Sequence, residues 1–382
     1  MSRSTELLDT LIAFDTVSRT PNLALLDWAE EQLKAIGATT TRVPYEDGRE
    51  NLYAVIGPAD RRAVILSGHT DVVPVEGQNW TKPPFRLTRE DGKLYGRGTA
   101  DMKGFVAASI AAAERAASRN LANPLALALS CDEEVGCLGV RPMIALLKEA
   151  PVHPALVIVG EPTALAVATG HKGKTSLRAT IRGREAHSAL APLGFNALHP
   201  AADFINALRT RQAAIEASGP RDGDYDVPYT TVHAGVFRGG VALNIVPNHA
   251  EIDFEIRALA EDDPLEILAG IEADAAAIVA AANDPDASIS IDTRFTSPGL
   301  ATPATSEAVD FVKRLTGANG TIKVAYATEG GLFAEALNSP VVVCGPGSML
   351  QGHRPDEFIT DDDLARCDKM LDALIDRLEA GL

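Results

Sequence analysis

The sequence predicts an α/β protein: a mostly parallel sheet covered on both faces, with a separate α+β unit inserted into it. Three observations carry this. Short, nearly continuous apolar runs recur at Ala63–Leu66, Leu125–Leu129, Leu156–Val159 and Val341–Val343, the pattern of strands buried on both faces. Helical stretches at Leu23–Ile36, Met102–Ser118 and Val140–Lys148 lie before and between the first three, as in sheets sandwiched by helices. The middle of the chain then changes period. In Thr175–Arg182, Leu177, Ala179 and Ile181 alternate with Arg178, Thr180 and Arg182, so one face is buried and the other wet.

In chain order, MSRSTELLDTLIAF reads as an amphipathic helix with Ser4 or Thr5 as its cap. It has no apolar core long enough for a signal peptide, and no later window could span a bilayer, which predicts a cytoplasmic protein. The buried strands and helices follow. Beyond Thr175–Arg182, Tyr229–Phe237 and Glu251–Arg257 alternate less cleanly, with helical segments at Ala197–Ala217 and Pro264–Ala281. Half-buried antiparallel strands with two helices on one side make an α+β unit. Val341–Val343 resembles the strands of the first half, so this unit is an insertion and the first domain is discontinuous. The expected boundaries are residues 1–170 with 288–382 for the first domain, and 171–287 for the insertion. A chain of 382 residues exceeds one ordinary core, which agrees with two domains.

The chain carries 52 Asp+Glu against 35 Lys+Arg, a formal charge of -17. Such a surface repels phosphate backbones and anionic lipid, so neither nucleic acid nor membrane is an expected partner. Part of the excess can be ligands, because hard or borderline cations need carboxylates. The cysteines Cys131, Cys137, Cys344 and Cys367 show neither zinc-knuckle spacing nor a disulfide framework, which suits a reducing compartment.

Open α/β sheets place ligands at the C-terminal ends of their strands. After Ala63–Leu66 comes Ser-Gly-His69-Thr-Asp71; after Leu125–Leu129, Ser-Cys-Asp132-Glu133-Glu134; after Leu156–Val159, Gly-Glu161-Pro. After Val341–Val343 a Gly-rich loop ends at His353, and Asp101, in GRGTADMKG, opens a long helix. A lone His after a strand is ordinarily structural, and an Asp-Glu-Glu run is ordinarily a solvated turn. Five metal-type side chains meeting at one sheet edge are a different matter. Imidazole and carboxylate donors suit zinc, cobalt or manganese, and two such ions need a bridging ligand and a bridging water. Asp101 can bridge, with His69 and Glu161 on one side and Glu134 and His353 on the other. Asp71, two residues past His69, can accept the second imidazole N–H. Glu133 precedes a ligand and is placed to take a proton from the water and return it to a leaving amine. His153, His171, His199, His233 and His249 have no such setting and read as structural.

Competing motifs fail. ATGHKGKT (168–175) lacks the first glycine of a phosphate-binding loop and runs into a strand pattern rather than a helix. No serine sits in G-x-S-x-G, and no G-x-G-x-x-G follows the first strand.

GHTDVVP (68–74), GRGTADMKG (96–104), DEEVG (132–136) and GEPT (160–163) resemble the metallopeptidase M20 family over nearly the whole chain. The resemblance implies a zinc-peptidase-like catalytic domain with two zinc or cobalt ions, and an inserted lid through which relatives commonly dimerise. HKG (171–173), TEGG (328–331) and GPGSMLQGHRPDEF (345–358) look most like the acetylornithine deacetylase branch, although Gly330–Gly331 stand where some deacetylases carry Ala-Pro. The resemblance also singles out His187, whose counterpart reaches a neighbouring active site and stabilises an oxyanion. Asn244 and Arg257 match lid positions used on the substrate carboxylate. The expected activity is cleavage of an N-acyl amino acid, N2-acetyl-L-ornithine above others, to L-ornithine and acetate in arginine synthesis. Acetylcitrulline deacetylase, succinyl-diaminopimelate desuccinylase and dipeptidase or carboxypeptidase activities are the alternatives. A non-catalytic metal-binding protein on this fold would be expected to lose the base, yet Glu133 is present.

Overall fold

The computed structural model describes residues 2–382, which divide into two compact units. The first runs up to Gly170 and resumes over Leu300–Val324 and Thr328–Leu382; the second is His171–Gly299 with Ala325–Ala327.

The first unit is built on a nine-stranded sheet. Its middle strands, in the order Leu125–Ser130, Val64–His69, Leu156–Pro162, Val341–Gly345, are parallel neighbours. Every residue of these four strands is buried, which is why they read as unbroken apolar runs. Antiparallel strands Thr39–Pro44 and Glu50–Ile56 extend one side, and Val167–His171 extends the other. The helix Gly104–Ala117 is alanine-rich and mostly buried, so it lies close to the sheet and feeds Phe105, Val106 and Ile110 into the core. The first helix is Arg3–Ile12, and its cap is Ser2, whose hydroxyl accepts from the Thr5 N–H, not Ser4 or Thr5. Both of those are buried, and the Ser4 hydroxyl instead donates to Asp368 at 2.6 Å.

Two glycines permit close approach where the central strands end. A Cβ on Gly345 would stand 1.9 Å from the Gly160 carbonyl oxygen, and one on Gly160 would enter the Phe105 ring at 2.0 Å. The backbone that leads into GEPT and the backbone that leads towards His353 therefore pack at a distance only glycine allows.

The second unit is a four-stranded antiparallel sheet in the order Thr231–Gly239, His249–Ala258, Gly173–Arg182, Ser288–Ser297. Helices Leu198–Ser218 and Pro264–Ala282 supply Phe204, Leu208, Ile271 and Ala275 to one core with Leu177, Ala179 and Ile181. Ser288–Ser297 pairs with Gly173–Arg182 along most of its length, so the main segment of the second unit runs on to Gly299, past the expected residue 287. The sequence signal is weak there because a bulge between Thr293 and Phe295 breaks the alternation.

Two outcomes are expected. Gly345→Ala should destabilise the protein by roughly 3 kcal/mol through overpacking against rigid backbone; an unchanged denaturation midpoint would contradict the packing described. His171 is fully buried, and burial lowers its pKa to about 4. An unfolded chain protonates this ring near pH 6.5 while the native state does not, so its contribution is present above that pH and lost as pH falls towards 4. Between pH 7 and pH 5 the loss should be roughly 2 kcal/mol. Urea titrations at the two pH values should show that His171→Asn loses this part of the slope.

Candidate metal centre

Each side chain singled out at the sheet edge belongs to the first unit and lies in or just after a strand of the sheet or, for Asp101, in the irregular segment ahead of a helix. His69 is the last residue of Val64–His69, and Glu161 lies in Leu156–Pro162. Asp132–Glu134 follow Leu125–Ser130, with Asp132 turning the chain at φ 52°. Asp101 lies in the irregular segment Thr99–Lys103, just ahead of the long helix. His353, at φ 60°, sits in the loop after Val341–Gly345.

These residues converge. His69 Nε2 is 3.1 Å from Asp101 Oδ1 and 4.0 Å from Glu161 Oε1. His353 Nε2 is 3.3 Å from the other Asp101 oxygen and 3.0 Å from Glu134 Oε2. Asp101 thus offers one oxygen to each imidazole, the geometry a bridging carboxylate needs. Ligand-type atoms of His69, Asp101 and Glu134 lie within 4.8 Å of one another, as do those of His69, Glu133 and Glu161. Glu133 therefore also lies within ligand reach.

Asp71 differs from the expectation in detail. His69 Nδ1 bonds the backbone carbonyl of Asp71 at 2.9 Å, while the Asp71 carboxylate is 3.6 Å away. That carboxylate accepts from the Glu133 N–H at 3.1 Å and the Ser18 hydroxyl at 2.7 Å. It ties the His69 strand end to the Asp-Glu-Glu turn as well as facing the ring.

The electrostatics show what the cluster lacks. Burial drives the carboxyls of Glu133 and Glu161 well above the usual range and raises Glu134 to about 7. Hydrogen bonds that the ring donates to Asp101 and then to Glu134 raise His353 to about 10. Against the upward push of burial, His353 and His69 hold Asp101 below its ordinary value. Four acidic side chains packed around two imidazoles are uncompensated by the protein's own cations, and the donor set of ring nitrogens and carboxylate oxygens fits divalent metal.

Several supporting residues are invisible in the sequence pattern. Arg49 forms a buried ion pair with Asp132, whose other oxygen accepts from the Arg19 N–H at 2.8 Å. Cys137 donates its thiol to Glu133 Oε1 at 3.2 Å. Glu329 of the TEGG motif is buried, accepts from Ser67 at 3.0 Å and is raised to about 7 by burial. Only Glu329 lay in a quoted motif, and a charged residue in a loop ordinarily reads as solvated.

The three remaining candidates belong to the second unit. His187 is exposed and caps the short helix Ser188–Leu193, its Nδ1 accepting from the Ala189 N–H at 3.0 Å. It bridges to Ile245, and the Asn244 carbonyl accepts from the Ser188 N–H at 3.1 Å. His187 and Asn244 are therefore neighbours. Arg257 is not with them: it lies at the opposite end of His249–Ala258, its guanidinium bonded to Glu255 at 2.9 Å.

Residues 65–377 match the profile of peptidase family M20/M25/M40. An acetylornithine deacetylase of Myxococcus xanthus is 34% identical over 370 residues, covering 95% of this chain and 94% of that protein. One of Pasteurella multocida is 32% identical, covering 96% and 93%. Among solved structures, an M20 family metallo-carboxypeptidase from Sulfolobus solfataricus superposes over 100% of both chains with TM-score 0.82 at 19% identity. A tripeptidase from Staphylococcus aureus covers 99% of this chain and 98% of its own, with TM-score 0.78 at 18% identity. The chain belongs to peptidase family M20. It is a metal-dependent hydrolase, an amidohydrolase of that family.

The Arg49–Asp132 pair yields a direct expectation. Arg49→Met leaves a buried carboxylate without its partner and should cost roughly 3–5 kcal/mol of stability. Adding Asp132→Leu should recover part of that loss. Equal denaturation midpoints for Arg49→Met and the parent would contradict the pairing.

Proposed function

We propose that the chain hydrolyses the amide of an N-acyl amino acid, with N2-acetyl-L-ornithine the favoured substrate and acetate and L-ornithine the products, a step of arginine synthesis. The observation that carries the reading is the meeting of His69, Asp101, Glu134, Glu161 and His353 around Glu133 at one rim of the sheet. The choice of substrate draws on relatives named acetylornithine deacetylase that match over nearly their full length. Gly330–Gly331, where some deacetylases carry Ala-Pro, favours keeping other N-acyl amino acids and dipeptides as a second reading.

In this reading His69 and Glu161 would hold one divalent ion, Glu134 and His353 would hold a second, and Asp101 would serve both; zinc and cobalt both suit the donors. Such ions would supply Lewis-acid polarisation of the amide carbonyl and a water acidified to a pKa of roughly 7. Glu133 takes the proton from the attacking water and delivers it to the departing amine. Cys137 fixes the rotamer of that base by donating to Oε1. Asp71 orients His69 and the turn bearing Glu133. The roles assigned to His187, on the oxyanion, and to Asn244 and Arg257, on the substrate carboxylate, rest on the family likeness. For Arg257 the contact requires exchanging Glu255 for the substrate.

A homodimer through the second unit is part of the same reading. Thr231–Gly239 is an edge strand of the antiparallel sheet, and Val236, Phe237, Val241, Leu243 and Ile245 in and after it are exposed. An unpaired apolar edge of this kind invites a second copy. Cytoplasmic residence is supported by the four cysteines, all buried and none in a disulfide. Among the described residues no helix is long and apolar enough to cross a membrane.

Glu133→Ala should lower kcat by about 10²–10⁴-fold while metal content, measured by elemental analysis, stays near that of the parent. Retained rate, or loss of metal together with rate, would remove Glu133 from the role of base. Chelation should abolish hydrolysis and added zinc or cobalt restore it. On a panel of acetylornithine, acetylcitrulline, succinyl-diaminopimelate and dipeptides, acetylornithine should show the highest kcat/KM; a dipeptide in first place would shift the reading to the second.

A further inference from the structure

Asp101 and His353 must be held at a fixed separation if they are to share a centre, yet both lie in irregular backbone. The segment 96–103 carries the first and the loop 346–357 carries the second. Glu357 joins the two. Its Oε1 accepts from the N–H groups of Ala100 at 2.8 Å and Asp101 at 3.0 Å, its Oε2 from Gly98 at 3.0 Å, and its backbone carbonyl from Gly96 at 2.9 Å. The charge of this buried carboxylate is matched by Arg97, itself 1% exposed, whose Nη1 donates to Glu357 Oε2 at 2.7 Å. Arg97 Nη2 donates to Gln78 Oε1 at 2.6 Å, the Trp80 ring lies 4.9 Å from the guanidinium, and Trp80 Nε1 donates to the same Gln78 oxygen at 3.0 Å. Gln78 closes the circuit by donating from Nε2 to the backbone carbonyl of His353 at 2.9 Å. His353 itself is in the left-handed region at φ 60°, a conformation a non-glycine residue keeps only when its surroundings hold it there.

We propose that Gln78, Arg97 and Glu357 are positioning residues that form one hydrogen-bonded ring linking the backbone of Asp101 to the backbone of His353, and so set the metal affinity of the centre. The inference rests on the two-ion reading above. Glu357 acts on the residue shared by both ions, through the N–H of Asp101 itself. Gln78 acts on His353, which serves one ion alone. The two positions therefore have different signatures. Loss of Gln78 loosens one binding step, and loss of the Glu357 charge loosens both. A buried pair that merely stabilised the fold would lower the melting temperature and leave both steps as they were.

The test is a cobalt(II) titration of the full-length chain, followed by visible absorption of the bound ion, with circular dichroism melts to establish that each variant is folded. The parent should take up two ions. In Gln78→Ala one step should weaken by roughly 10–100-fold and the other stay within about twofold, the size seen when hydrogen-bond partners of metal ligands are removed. In Glu357→Gln both steps should weaken by at least as much. Gln78 is half-buried and outside the charged pair, so Gln78→Ala decides the matter even where Glu357→Gln does not fold. A folded Gln78→Ala that binds both ions with parental affinity, or loses affinity equally at both steps, overturns the ring. A parent that binds fewer than two ions overturns the two-ion reading itself and the ring with it.

Discussion

The structure depends on the burial of negative charge. Asp101, Glu133 and Glu161 are all but fully buried beside His69, with Glu134 against His353. Carboxylates removed from water need a counter-charge or a proton. The buried arginines of this unit are already engaged, Arg49 by Asp132 and Arg97 by Glu357. Two imidazoles cannot neutralise four acids. The acids are turned inward so that their oxygens face a common space, an arrangement that protons or bound cations have to offset.

The sheet makes the arrangement possible because its middle strands are parallel. Their C-terminal ends lie side by side, so His69, the Asp132–Glu134 turn, Glu161 and the loop to His353 emerge at one edge without any long excursion of the chain. Gly160 and Gly345 let two of these ends approach more closely than any side chain would permit. The rim is then braced twice, by Asp71 across to the Glu133 N–H and by the circuit through Glu357, Arg97 and Gln78. Regular structure supplies the direction of each residue, and buried hydrogen bonds supply the last ångström.

What the sequence made legible follows from the same physics. Strands buried on both faces are continuous apolar runs, so the central sheet and the residues at its strand ends could be found by reading hydrophobicity alone. The insertion was legible in Thr175–Arg182, where alternation is strict. Its far limit was not, because the bulge near Arg294 interrupts the period of Ser288–Ser297 just where it has to be recognised. The cap of the first helix moved to Ser2 because Ser4 is drawn inward to Asp368, a partner 364 positions away. Gln78 and Arg49 carry no local signature for that reason too, and Arg97 and Glu357, although inside quoted motifs, give no sign there of their role: each is defined by a contact distant in sequence, and a polar loop residue looks the same whether it meets water or a buried partner. Arg257 shows the converse, since its place at a strand end was readable while its pairing with Glu255 was not.

The most direct test of the central claim is anomalous diffraction at the zinc absorption edge from crystals of the zinc-loaded protein. Two peaks about 3.5–4 Å apart are expected. Each should lie roughly 2.0–2.2 Å from its donors, His69 and Glu161 for one, Glu134 and His353 for the other, with Asp101 reaching both. An empty rim with its acids bonded only to one another, or zinc held elsewhere on the chain, would contradict the account.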